Sequence, residues 1–107
     1  MENLGLSIVV PAYNEEQGVL AVINELLQHS RSLKVPYEII VVEDGSVDKT
    51  LDIISKIEGI KVIKHQKNKG YGASLKTGIR ESKFPLICIT DADGTYPIDL
   101  IPAFTEI

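Results

Sequence analysis

Four short apolar runs rich in β-branched residues, at 7–10, 38–42, 60–63 and 86–89, are separated by segments whose apolar residues recur at helical spacing. That alternation limits the fold more than any other feature of the chain. The helical stripes are Val19, Leu20, Ile23, Leu26 and Leu27, then Leu51, Ile54 and Ile57, then Leu75, Ile79 and Ser82. A further helix is expected to begin near Ile98. The rhythm β-α-β-α-β-α-β calls for an α/β fold, an open parallel sheet with helices on both faces and right-handed crossovers. Pro11 is expected to end the first strand, because it cannot donate within a central ladder. Asn14 reads as the N-cap of the first helix, with Glu15 and Glu16 near its positive end. The continuously apolar run 86–89 reads as a strand covered on both faces.

Sheets of this class bind ligands beyond the carboxyl ends of their strands, where strand order reverses. Every acidic cluster in the chain follows a strand: Glu15 and Glu16 the first, Glu43 and Asp44 the second, Asp91 and Asp93 the fourth. Three clusters on one rim argue for a polar site that takes a cation. Asp91 and Asp93 are one residue apart at the end of a buried strand, with Gly94 and Pro97 halting regular structure beyond them. Carboxylates at that spacing can reach one hard cation, Mg²⁺ or Mn²⁺, of the kind that bridges protein oxygens to a diphosphate. The same residues also read as an Asp-rich turn capping a strand.

The remaining composition removes several function classes. At 107 residues and 44% apolar content the chain makes one domain with a real core. A net charge of −4 and the absence of a long basic run disfavour nucleic acid; Lys64, Lys67 and Lys69 form only a local basic patch. Cys88 stands alone inside a predicted strand, so it reads as a small buried hydrophobe in a reducing, cytoplasmic setting. No signal peptide or membrane-spanning stretch is seen in these residues, and the end at Ile107, inside a helical pattern without a stop signal, reads as a truncation. Pro11-Ala12-Tyr13-Asn14 is not a dinucleotide fingerprint, and the segment from Gly72 to Gly78 lacks the P-loop ending. Zinc is disfavoured by the single cysteine and by His29 and His65, which read as distant from each other and from the acids. Ser46 has no recognisable histidine partner for a nucleophilic triad. A receiver-like regulatory module shares the rhythm but needs an acidic pair where Pro11-Ala12-Tyr13 stands.

Four segments taken together are more specific. Val9-Val10-Pro11-Ala12-Tyr13-Asn14-Glu15, Val41-Val42-Glu43-Asp44-Gly45-Ser46-Val47-Asp48-Lys49-Thr50, Asn68-Lys69-Gly70-Tyr71-Gly72-Ala73 and Asp91-Ala92-Asp93-Gly94, in that order, resemble the family 2 glycosyltransferases. These are inverting enzymes of the GT-A fold, and the chain is most similar in flavour to the dolichyl- and undecaprenyl-phosphate sugar transferases. The resemblance implies a Rossmann-like, mostly parallel sheet of order 3-2-1-4, the nucleotide-sugar-binding part of a longer domain. It assigns Pro11, Ala12, Tyr13 and Glu15 to a nucleoside pocket, and Asp44, with Glu43 beside it, to the base. Asp91, Ala92 and Asp93 fall to ribose, divalent metal and diphosphate. Glu43 stands where Asp is commoner, and Thr95 where a metal-assisting Gln occurs in one variant.

The implied donor is a UDP- or GDP-sugar, and the implied acceptor a glycan or a lipid phosphate such as polyprenyl phosphate. Mg²⁺ or Mn²⁺ is the implied cofactor, and the catalytic base and any membrane anchor are expected beyond Ile107, leaving this part a donor-binding module. Lys67, Lys69 and Lys76 are read either as phosphate support or as plain surface lysines, and Tyr13 as packing on the base or covering the sheet edge. Tyr96 and Phe104 read as packing residues. In the family's sheet the fourth strand is internal, so here it is expected to be an unpaired apolar edge that drives self-association. The competing reading is a non-catalytic nucleotide-binding or receiver-like regulatory module.

Overall fold

The computed structural model describes residues 5–92. Its strands β1 (Leu6–Ala12), β2 (Tyr37–Glu43), β3 (Lys61–Lys64) and β4 (Leu86–Ile89) form one parallel sheet of order β3-β2-β1-β4, the order expected. The crossovers carry helices α1 (Val19–Ser30), α2 (Thr50–Ser55) and α3 (Tyr71–Arg80). Side chains alternate across the sheet. Leu6, Ile8, Val10, Ile39 and Val41 pack on one face with Val19, Ile23 and Leu26 of α1 and Ile54 of α2. Val9, Ile40 and Val42 pack on the other face, with Leu75 of α3 against them. Every residue of β1 is buried, which is why its sequence runs apolar without alternation. Burying each such Val, Leu or Ile side chain contributes about 1.5–3 kcal/mol, so the two central strands anchor the domain.

Pro11 does not end β1; the strand runs through it to Ala12. Val9 O accepts from Thr90 N at 3.0 Å and Ala12 O from Asp44 N at 2.9 Å. Odd-numbered backbone groups of β1 therefore face β4, and even-numbered ones face β2. The N–H that Pro11 lacks lies on the β4 side, one step beyond the last pair, Val9 with Ile89. Pairing with β2 continues undisturbed to Ala12 and Glu43. Proline thus ends one ladder and spares the other, at the point where strand order reverses.

The helix readings need correction in register. α1 begins at Val19, not after Asn14, and no acid lies in its first turn. Val22 rather than Leu20 faces the core; Leu20 is 48% exposed. Ile57 falls past the end of α2, and β3 runs 61–64 rather than 60–63. α3 turns Ser74, Thr77 and Gly78 inward beside Leu75 and leaves Ile79 exposed; at Gly78 the helix sits too close to Val9 for a side chain. A Cβ on Gly78 would lie 2.3 Å from Val9 Cγ1. Leu86 and Ile87 are each 38% exposed, so β4 is not covered on both faces as expected. It is one of the two sheet edges among the described residues, β3 being the other. Its start is held by buried Ser7, which donates to Glu38 Oε2 at 2.6 Å and accepts from Phe84 N at 3.2 Å. Asp93, Gly94, Thr95, Tyr96, Pro97, Phe104 and the helix expected near Ile98 lie outside the described residues.

Two glycines of α3 make opposite predictions. Gly78→Ala overpacks Val9 and lowers stability by about 1–3 kcal/mol. Gly72→Ala, with nothing within 4 Å, raises it by up to about 1 kcal/mol through helix propensity. Thermal unfolding of both variants beside wild type checks the pair.

Candidate functional site

The rim loops after β1 and β2 are laced together by their own polar side chains. Glu43 is 1% exposed, and its carboxylate accepts from Gly45 N at 3.2 Å and Ser46 N at 2.9 Å, closing the turn that leaves β2. Ser46 Oγ then accepts from Asn14 N at 2.8 Å, and Asn14 Oδ1 from Val47 N at 2.9 Å. Asn14 has φ of 52°, a left-handed conformation that asparagine tolerates, and it staples the loops instead of capping α1. Thr50 Oγ1 accepts from Glu15 N at 2.8 Å and donates to Asp48 Oδ1 at 2.6 Å. Glu16 reciprocates, donating its amide to Asp48 and accepting from Lys49 N. Desolvation pushes the Asp48 carboxyl up, but the Thr50 hydroxyl and the surrounding amides outweigh it and hold the group below its ordinary range. This lacing sets Tyr13 and Glu15 over the reversal point.

Asp44 organises the next loop. It is 3% exposed, yet its carboxylate has donors on both oxygens. His65 Nδ1 and Lys69 N reach Oδ1, each at 2.8 Å, while Asn68 Nδ2 and Gly70 N reach Oδ2, each at 2.9 Å. Burial alone would raise this carboxyl; the bonds from His65, Lys69 and Gly70 prevail and keep it low. The expectation that His65 lies away from the acids is therefore wrong. The 21 residues separating it from Asp44 are a β-α-β crossover, which returns the chain to the same rim. Gly45, at φ +73°, permits the contact: a Cβ there would meet Asn68 N at 2.4 Å.

Between the first turn of α3 and the ends of β1 and β4 lies an open cleft of about 270 Å³. Pro11, Ala12, Tyr13, Glu15, Asp44, Asp91 and Ala92 all line it. Glu43 does not; it faces a neighbouring hollow with its carboxylate on the Gly45–Ser46 turn. Nor do Lys67, Lys69 or Lys76. The lining also includes Asn68, Gly70 and Tyr71, from the third of the four family segments, and Ser74, none of which carries an individual site role in the sequence reading. Tyr71 OH donates to Asp91 Oδ1 at 3.3 Å. Ser74 is 1% exposed, and its Oγ has no hydrogen-bond partner among the described residues. Among those residues no cluster of three or more His, Cys, Asp or Glu could hold a metal by itself. A cation shared with phosphates needs only one or two carboxylates, and Asp91 at the cleft wall fits that part.

The model for glycosyl transferase family 2 matches residues 7–106. The chain belongs to that family. It is 34% identical over 105 residues to the dolichyl-phosphate beta-glucosyltransferase of Dictyostelium discoideum, covering 88% of this chain and 32% of the relative. The chain thus spans about a third of the length of such curated relatives. Its fold is similar to part of S. aureus TarS 1-349 in complex with UDP-GlcNAc, with a TM-score of 0.68 and 28% identity, over 83% of this chain and 26% of that one. Glucosyl-3-phosphoglycerate synthase from Mycobacterium tuberculosis, in complex with Mn²⁺, UDP and phosphoglyceric acid, matches with a TM-score of 0.65 and 25% identity. That match covers 82% of this chain and 32% of the other. The sheet is the Rossmann-like one of GT-A proteins.

The hydrogen bonding of Asp44 gives a pH test. Its carboxyl titrates lower in the folded chain than its ordinary value of 3.8, so its contribution is complete above that value and is lost as pH falls through the lowered one. Asp44→Asn turns an amide NH₂ toward these donors, costing about 1–3 kcal/mol at neutral pH. Urea midpoints of the variant should converge on wild type as pH falls below 3.8.

Proposed function

We propose that this chain is the donor-binding part of an inverting glycosyltransferase that takes a UDP- or GDP-sugar with Mg²⁺ or Mn²⁺. The observation that carries the reading is the convergence of Pro11, Ala12, Tyr13, Glu15, Asp44, Asp91 and Ala92 on one cleft at the strand-order reversal. They come from the ends of three strands, and packing alone does not require them to meet. Tyr13, 44% exposed, offers a flat apolar surface for a base. Ser74 presents a buried hydroxyl to the same space. Asp91, oriented by Tyr71, stands where a metal-bound diphosphate would sit, with Asp93 following it in sequence. The cation, when bound, neutralises charge that gathers on the departing diphosphate. Asp44 holds the wall on which the base would rest, and Glu43 closes the Gly45–Ser46 turn next to it.

The lipid-phosphate acceptor is supported by the relatives, named for dolichyl and undecaprenyl phosphate, and the alternative of a growing glycan comes from the family resemblance alone. We place the reaction in the cytoplasm, at the membrane face, a reading supported by the free thiol of Cys88. No helix among the described residues is long and apolar enough to cross a membrane. Partly exposed Leu86 and Ile87 on the edge of β4 support pairing of that edge with a second copy.

Calorimetric titration of UDP and GDP with and without Mn²⁺ tests the donor site. One nucleotide should bind with Mn²⁺, and Asp91→Asn should weaken that binding by about tenfold or more, equivalent to about 1.4 kcal/mol. Wild type that binds neither nucleotide overturns the reading. Sedimentation tests the edge separately: wild type should associate with rising concentration, and Ile87→Lys should stay monomeric.

A further inference from the structure

We infer that His65 and Thr77 are positioning residues for the cleft, holding the Asp44 carboxylate and, through it, the wall made by residues 68–70 and the first turn of α3. This rests on the nucleotide-binding reading above. The argument begins with the saturation of Asp44. A carboxylate offers about four acceptor directions, and His65 Nδ1, Lys69 N, Asn68 Nδ2 and Gly70 N take them up at 2.8–2.9 Å. Two of those donors are backbone amides at the very start of α3. The position of the helix end therefore follows the position of the carboxylate.

His65 fixes that position from behind. A low-titrating carboxylate only accepts, so Nδ1 of His65 carries the proton in this contact. The other ring nitrogen, Nε2, lies 2.9 Å from Thr77 Oγ1 on α3, which donates to it when the ring is neutral. Arg80 Nη2 approaches the same hydroxyl at 3.5 Å. His65 N also donates to Glu43 O at 2.8 Å, extending the β2–β3 ladder by one residue. The ring is held by its backbone, by Asp44 at one nitrogen and by Thr77 at the other. It ties the ends of two strands to the second turn of the helix.

The Asp44–His65–Thr77 line has the connectivity of a nucleophilic triad, but it is not one. Thr77 is 9% exposed on the sheet-facing side of α3, and the cleft is lined by neither Thr77 nor His65. They act through Asp44. The wall has little other means of keeping its shape: Asn68 and Lys69 are exposed, and Gly70 sits at φ +104° with nothing within 4 Å of where a Cβ would stand. Loss of the ring leaves a buried carboxylate one donor short and free to turn. Displacements of about 1 Å in such a wall can cost up to about a hundredfold in function.

The experiment compares His65→Ala, His65→Asn and Thr77→Val with wild type. It reads nucleotide affinity with Mn²⁺ by calorimetry, amide exchange at Lys69 and Gly70 by NMR, and melting temperature. His65→Ala should weaken UDP or GDP binding by about tenfold and speed exchange at those two amides beyond any general change. His65→Asn, whose amide can replace Nδ1 as donor, should recover most of both. Thr77→Val, which removes only the hydroxyl, should fall between and serves if His65→Ala does not fold. Unchanged affinity in His65→Ala, or losses that merely track the melting temperature with no rescue by Asn, overturn the inference. Wild type that binds no nucleotide refutes the donor-site reading instead. The exchange comparison needs no nucleotide and still decides whether His65 holds the wall.

Discussion

A carboxylate withdrawn from water must have its charge met by hydrogen bonds, and the rim of this sheet is built around that requirement at Asp44. The donors that meet it come from residues 65–70 and include the amides of Lys69 and Gly70. Satisfying one buried charge therefore fixes a loop, the direction of α3 and one wall of the cleft together. Glu43 and Asp48 answer the same requirement on a smaller scale, each closing a turn with nearby amides. Most of the acidic motif after β2 is structural chemistry that makes a binding surface possible.

The opposite wall depends on a missing donor. Parallel pairing directs alternate backbone groups of β1 to opposite neighbours, so a proline can be silent toward β2 and terminal toward β4. Pro11 occupies the one phase that allows both. Its Cβ-bearing neighbours, Ala12 and Tyr13, then follow the strand out over the space that β4 leaves. Strand reversal creates the crevice in any fold of this class. In this chain, proline sets where the crevice starts.

The parallel sheet was legible from alternation and the rim position of the cleft from acids placed after strands, while the strand order came from the family resemblance. The helix faces were less so. Spacing suggested that Leu20 and Ile79 face inward, but the sheet takes Val22 on one side and, on the other, Ser74, Thr77 and Gly78 beside Leu75. Side-chain size at a close helix–sheet contact is decided by the partner strand, here by Val9, and no pattern within the helix reports it. His65 was missed for a related reason. Sequence separation says nothing about distance when a crossover brings the next strand back to the same edge. The clue was the glycine-bearing loop after it: Gly45 and Gly70, both at positive φ, let two loops approach closely enough for an acid on one to hold the other. Asn14 shows the reverse error, a residue suited to a helix cap that instead stands at φ 52° and joins two loops.

These details separate the acids of the rim by role. Glu43, Asp44 and Asp48 accept from neighbouring amides and hydroxyls, and their charge is balanced within the fold. Glu15 and Asp91 line the cleft, and of the three internally bonded acids only Asp44 joins them there. A dinucleotide-type fold that grips phosphates with bare amides would gain nothing from carboxylates there, since they would repel the ligand. Carboxylates at the wall favour a ligand whose negative charge arrives with a cation, or one that presents hydroxyls and ring nitrogens. A metal-bound nucleoside diphosphate attached to a sugar has all of these features. On the donor-binding reading proposed above, acids at the wall would favour the charged ligand in its metal-bound form over the same ligand alone.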